Sequence, residues 1–129
     1  MNKQIKTVNI PQRSNVVLNK WMIWEINTKS DPLNPVFTQH LVGVNEKTNE
    51  ARVSSRIVEF DPSTMRVKTS SGKVYRVTGL PEENPDCNLV WNQWQDGHRV
   101  RQALMVSAEY LVAMHKAHRE KSRSTVHAV

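Results

Sequence analysis

The chain has 129 residues, 38% of them hydrophobic and 23% charged, and its formal net charge is +6. That length fits one domain with its own core, and the composition excludes a mostly disordered chain. No apolar run approaches the roughly 20 residues that span a bilayer, and the first residues lack the apolar stretch of a secretory signal. A single cysteine, Cys87, excludes an internal disulfide. We therefore expect a cytoplasmic protein with no membrane association.

The first two-thirds of the chain are predicted to form β-strands separated by short loops. The first strand is rich in Val, Ile and Trp at both parities, as in a strand that is buried on both faces or one that twists between them. Two prolines mark residues 31–35 as a loop, and alternation on either side of Gly72 predicts a β-hairpin. The predicted strands are residues 15–26, 36–44, 51–60, 65–69 and 73–77. Such short connections favour an antiparallel meander.

The strands are followed by a short helix or wide turn and then by a long helix. Asp86 is the candidate N-cap of the first segment, which ends by Gly97, and in a helix Trp91 and Trp94, three residues apart, would share one face. An apolar stripe then predicts a long helix over residues 99–118. Its members are Val100, Ala103, Leu104, Ala108, Leu111 and Met114.

The expected fold is α+β, with an antiparallel β-meander or small curled barrel of about five strands and a C-terminal helix packed on it. Residues 1–120 are predicted to form a single domain, and residues 121–129 a flexible basic tail. The four tryptophans are expected to lie where the first strand meets the C-terminal segment. They are Trp21, Trp24, Trp91 and Trp94.

Positive charge is concentrated in two places. Residues 99–129 hold six Lys or Arg against two acids, which is +4 of the formal +6, and such a field attracts polyanions or acidic protein surfaces. The strand pattern also predicts basic side chains together on one outward face of the sheet. The candidate contacts with a partner are Arg52, Arg56, Arg66, Lys68, Arg76, Lys116, Arg119 and Lys121. The alternative is that these cations only solvate an outer face, since Tyr75, the only aromatic residue nearby, is predicted to face inward and cannot stack on bases.

The remaining residue patterns indicate structural roles and no catalytic site. Trp91 and Trp94 are possible interface anchors, although two tryptophans at helical spacing are more often core. No motif for a nucleophile, an acid–base pair, a metal or a phosphate loop is present. The sequence therefore predicts a protein that is not an enzyme and needs no cofactor or metal.

Several segments resemble small uncharacterised proteins that phages, plasmids and integrative elements carry. The resemblance covers roughly residues 50–95 and lies in residues 52–61, 69–75, 79–81 and 89–94. It implies an accessory role in a mobile element, and it transfers no catalytic or binding residue.

These observations predict a non-enzymatic accessory binding protein that engages nucleic acid or a nucleoprotein complex through a basic surface. The alternative is a protein inhibitor of a host defence system, of an anti-CRISPR or other anti-defence type, acting by protein–protein contact. The sequence sets no oligomeric state.

Overall fold

The computed structural model describes residues 4–11, 13, 16–27, 33 and 36–127, with side chains only as far as residue 121. The fold is α+β, as predicted. Its strands are β1 (Lys6–Thr7), β2 (Val16–Asn27), β3 (Phe37–Asn45), β4 (Ala51–Asp61), β5 (Arg66–Thr69), β6 (Val74–Val77) and β7 (Gln102–Met105). Its helices are α1 (Pro85–Gly97) and α2 (Ser107–His127). The five predicted strands correspond to β2–β6 and are confirmed within one residue at each end.

Strands β2 to β6 close into a ring of hydrogen bonds. Each strand from β2 to β6 is antiparallel to the next, and β6 then pairs with β2 in parallel, with Val16 opposite Tyr75 and Leu18 opposite Val77. The closing pair is parallel because five alternating strands bring the first and last into the same direction. The predicted antiparallel meander therefore becomes a mixed sheet at its closure.

The interior of the ring is a tightly packed hydrophobic core. Its fully buried side chains include Leu18, Trp21, Ile23 and Leu41. Gly43 of β3 is needed for this packing, since an added Cβ there would lie 3.1 Å from the Leu18 Cβ. That separation is closer than side chains normally pack.

Helix α2 closes this core with Tyr110 and Met114, which lie four residues apart on one face. The Tyr110 ring packs on Phe60, with 4.7 Å between ring centroids. The Tyr110 hydroxyl donates to the buried Gln39 Oε1, and Gln39 Nε2 donates to Glu25 Oε1 at 3.1 Å. Burial and the nearby carboxylates raise the pKa of Tyr110, so the hydroxyl stays protonated as a donor.

A second hydrophobic core lies between α1 and the outer face of β2, β3 and β4. Its buried members are Ile26, Val42, Val44, Cys87 and Trp91. The first strand is apolar at both parities for two reasons. A register shift between Asn19 and Met22 brings Leu18 and Ile23, which differ in parity, into the same core, and the outer face of the strand carries Ile26 into the second core.

The N-cap of α1 is Asn84, not Asp86. The Asn84 Oδ1 accepts from the Cys87 backbone N–H at 3.1 Å, and Pro85 occupies the first helical position, where a missing N–H costs nothing. Asp86 lies in the first turn, where its charge suits the helix dipole. The predicted end of this helix at Gly97 is confirmed.

The predicted helix over residues 99–118 is wrong in its first part. Residues Gln102–Met105 form β7, which pairs antiparallel with β2, with Trp24 opposite Met105. This pairing supplies hydrogen-bond partners to an edge of β2 that the short β6 leaves open. The Ser107 hydroxyl then accepts from the Ile23 backbone N–H at 2.9 Å, and α2 begins at that residue.

Two other predictions fall partly outside the described residues. The loop predicted at 31–35 lies there except for Leu33, as do residues 128–129 of the predicted tail. Helix α2 continues to His127, well past its predicted end at residue 118. In the part of the chain that the structure describes, no helix is both long and apolar enough to cross a bilayer.

Candidate functional site

A β-bulge in β4 separates two arginines that the strand pattern places on one face. Arg52 pairs with Gly43 and Arg56 with His40, so that two residues of β4 oppose one residue of β3 between them. The extra residue shifts the alternation by one position. Arg52 therefore lies on the inner side, with its guanidinium 5.7 Å from the centre of the Tyr75 ring, whereas Arg56 is exposed on the outer side. This placement corrects the predicted common face.

The three basic side chains of the β5–β6 hairpin do share the outer face, as predicted. Arg66 lies directly opposite Arg76, and Lys68 lies two residues further along β5. All three are partly exposed, while Tyr75 between them faces inward as predicted. Like charges in directly opposite positions concentrate positive potential on this face of the hairpin.

Carboxylates of β4 border this basic face. Lys68 is opposite Glu59, and Arg66 is opposite Asp61. Asp61 accepts two local hydrogen bonds. Its Oδ2 accepts from the Ile10 backbone N–H at 2.8 Å, and its Oδ1 accepts from the Ser63 hydroxyl at 2.7 Å. These hydrogen bonds lower the pKa of Asp61 despite its burial. The carboxyl group therefore stabilises a loop beside the hairpin.

The basic half of α2 extends away from the core. Beyond Met114, which is buried, the cationic side chains Lys116, Arg119 and Lys121 are all exposed. All three belong to α2, so their charges are held at fixed spacings along a helix. This group is the second of the two basic surfaces predicted from the sequence.

Three of the four tryptophans form a stack that leads from the second core to the surface. Ring centroids lie 5.5 Å apart from Trp24 to Trp91 and 5.4 Å apart from Trp91 to Trp94. The exposed His98 ring continues the stack at 3.9 Å from Trp94, with an angle of 14° between the planes. Trp21 lies apart, in the core of the ring, where its Nε1 donates to the Gly79 carbonyl. The first strand thus meets α1 through Trp24, Trp91 and Trp94, whereas Trp21 packs inside the ring.

This stack decides how the two candidate anchors are placed. Trp91 is 3% exposed and belongs to the core. Trp94 is partly exposed, but Trp91 and His98 lie parallel to it and the His40 ring approaches at 4.6 Å. The most exposed ring of the stack is therefore His98, which sequence analysis missed. Its position four residues after Trp94, at the C-cap of α1, was the available signal.

A cleft of about 540 Å³ opens beside the outer end of the stack. Arg56 lines it from β4, Trp94 lines it from α1, and His98 lines it from the C-cap of that helix. The other lining residues are Ile26, Thr38, His40, Val53, Ser54, Ser55 and Ser70. A cation, an aromatic ring and several hydroxyl groups thus face one space, although they come from four separate stretches of chain.

His40 is a fixed part of the cleft wall. Its Nδ1–H donates to the Ser54 carbonyl at 2.9 Å, so its Nε2 accepts from the Thr38 hydroxyl at 2.8 Å. Burial lowers the pKa of His40, and the nearby charges of His98 and Arg56 act in the same direction. A neutral ring with both nitrogens occupied positions Trp94 and takes no further ligand.

No known protein family, curated protein or solved structure matches this chain. Among the described residues, no three His, Cys, Asp or Glu side chains come together in a way that would hold a metal ion.

Proposed function

We propose that this protein is a non-enzymatic accessory protein of a mobile element that binds nucleic acid, free or within a nucleoprotein complex. Affinity comes from phosphate contacts by the hairpin cations Arg66, Lys68 and Arg76 and by the exposed cations of α2. The observation that carries the proposal is the grouping of these three hairpin cations on one outer face, with Arg66 directly opposite Arg76. Such a group concentrates positive potential where a phosphate backbone can lie.

The predicted roles of the other two arginines follow from their positions. Arg56 extends the basic hairpin face toward the cleft, since the Ser70 backbone N–H donates to the Arg56 carbonyl at 2.8 Å and Ser70 itself lines the cleft. Arg52 lies over the Tyr75 ring on the inner side of β4. It therefore adds to the positive electrostatic potential around the protein and makes no direct contact with a phosphate.

The salt dependence of binding tests the proposal. Fluorescence anisotropy of a labelled single strand, titrated at several salt concentrations, gives the slope of log K against log [salt]. We expect a negative slope that loses about 0.7 for each phosphate contact removed, and thus about 2 in the triple variant Arg66→Ala/Lys68→Ala/Arg76→Ala. The corresponding triple variant of Lys116, Arg119 and Lys121 should lose a similar amount.

A control with the same net charge separates local contacts from the overall field. Lys20, Lys47 and Arg101 are exposed cations that lie outside β4, β5, β6 and α2, and their triple alanine variant should keep nearly the wild-type slope. A wild-type slope near zero would contradict nucleic-acid binding. Equal losses in the hairpin and control variants would contradict this placement of the interface.

Inhibition of a host defence protein is the second candidate function, and an exposed apolar surface favours it. Leu104 and Met105 of β7 and the nearby Leu80 are 59%, 51% and 70% exposed. Met105 and Leu80 also border a groove of about 410 Å³ beside α2. Exposed apolar side chains at a sheet edge are suited to contact with a protein. A nuclease-treated pull-down from host lysate distinguishes the two functions, because only a protein partner survives the treatment and is then lost in Leu104→Asp.

A further inference from the structure

The aromatic stack ends at the surface in a ring that is already held in place. The His98 Nδ1–H donates to the Trp94 carbonyl at 2.8 Å, and the Trp94 ring lies parallel beneath it. Trp91 and Trp24 continue the column into the second core. The inner face of His98 is therefore covered, and its outer face is an aromatic surface whose orientation the core determines.

The space next to this ring has the size and chemistry of a nucleotide site. The cleft volume of about 540 Å³ is within the usual range for small-ligand sites. Arg56 brings a positive charge to the same cleft, and Ser55 and Ser70 bring hydroxyl groups. A base stacked on His98 would place its phosphate within the field of Arg56, at the point where the basic hairpin face begins.

Stacking on such a ring requires a base whose face is free. In a duplex each base is covered by its neighbours, whereas a single strand offers base faces to aromatic side chains. We propose that the cleft binds one unpaired base of a single-stranded nucleic acid, stacked on His98, with the adjoining phosphate at Arg56. This inference rests on the proposed function and adds the class of nucleic acid that is selected.

An abasic strand separates base stacking from phosphate contact, because it keeps the phosphates and lacks the bases. Anisotropy titrations compare an oligothymidine of about 12 nucleotides with an abasic strand of the same length. We expect the wild-type protein to prefer the oligothymidine by about 5- to 10-fold, as for the weaker base–aromatic stacks. A duplex of the same length should bind no better than the abasic strand.

Variants of the ring assign that preference to His98. His98→Ala should bind both strands equally, His98→Phe should restore the preference, and His115→Ala, an exposed control on α2, should keep it. Arg56→Ala should weaken both strands to the same extent. Because His98 and Arg56 are exposed, thermal unfolding monitored by circular dichroism should show all of these variants folded.

Two results would overturn the inference. One is equal binding of the two strands by the wild-type protein. Salt-dependent binding of the abasic strand would then show that the proposed function stands while the stacking site does not. The other is binding of thymidine monophosphate as tight as that of the oligothymidine, which would make the occupant a free nucleotide.

Discussion

Removing one buried hydroxyl group, in Tyr110→Phe, should lower the free energy of unfolding, because this group joins α2 to the ring of strands. The Tyr110 side chain is fully buried, and its hydroxyl donates to Gln39 Oε1, whose residue is 1% exposed. Without that donor the Gln39 oxygen is left buried and unsatisfied, which costs about 1–3 kcal/mol. With a urea m-value of about 2 kcal/mol/M, a loss of about 2 kcal/mol lowers the unfolding midpoint by about 1 M.

Tyr75→Phe is the matched control. The Tyr75 ring is equally buried in the same core, but its hydroxyl makes no hydrogen bond within the described residues. We expect its free energy of unfolding to stay within about 0.5 kcal/mol of wild type. In Tyr110→Phe/Gln39→Leu the unsatisfied acceptor is gone, so part of the lost stability should return. A midpoint of Tyr110→Phe equal to wild type, or as low in the control, would refute the role given to this hydrogen bond.

Three further perturbations follow from the fold, each measured by urea unfolding. Asn84→Ala removes the N-cap of α1 and should cost about 1 kcal/mol. Gly43→Ala forces a Cβ against β2 and should cost about 1–3 kcal/mol, whereas Gly97→Ala, whose Cβ would meet nothing within 4 Å, should not destabilise the protein. His40 has a lowered pKa in the folded state, so the unfolded chain takes up its proton first; its contribution to stability is complete above pH 6.5 and is lost as the pH falls below that value. His40→Gln should reduce this loss, and His115→Gln should leave it unchanged.

The strands could be predicted because each shows its pattern locally. Alternation with period two in the β5–β6 hairpin was enough to place Tyr75 inside and Arg76 outside, as the structure confirms. The bulge in β4 leaves no such signal, because any residue can be the extra one. A single unrecognised shift between Arg52 and Arg56 was therefore enough to place one of them on the wrong face.

The helix prediction failed where tertiary pairing overrode a local pattern. Val100 and Leu104 fit a helical stripe, but Val100 packs in the second core while Leu104 is exposed on β7. The cause is the open edge of β2, which the sequence of this segment does not show. Ser107 marks the true boundary through its hydrogen bond to Ile23, a residue 84 positions earlier.

Only part of the candidate site could be predicted from the sequence, because the rest depends on contacts between distant segments of the chain. Its cations could be counted from the sequence, and charge alone predicts affinity for a polyanion without selectivity. The selective part is the His98 ring, whose orientation depends on Trp91 and Trp94 beneath it and on Trp24 from a distant strand. Because the same indoles fill the second core, a substitution that weakens the stack also lowers stability. His98 is the one ring of the stack that can be changed without opening the core, so it is the position at which selectivity can be tested apart from folding.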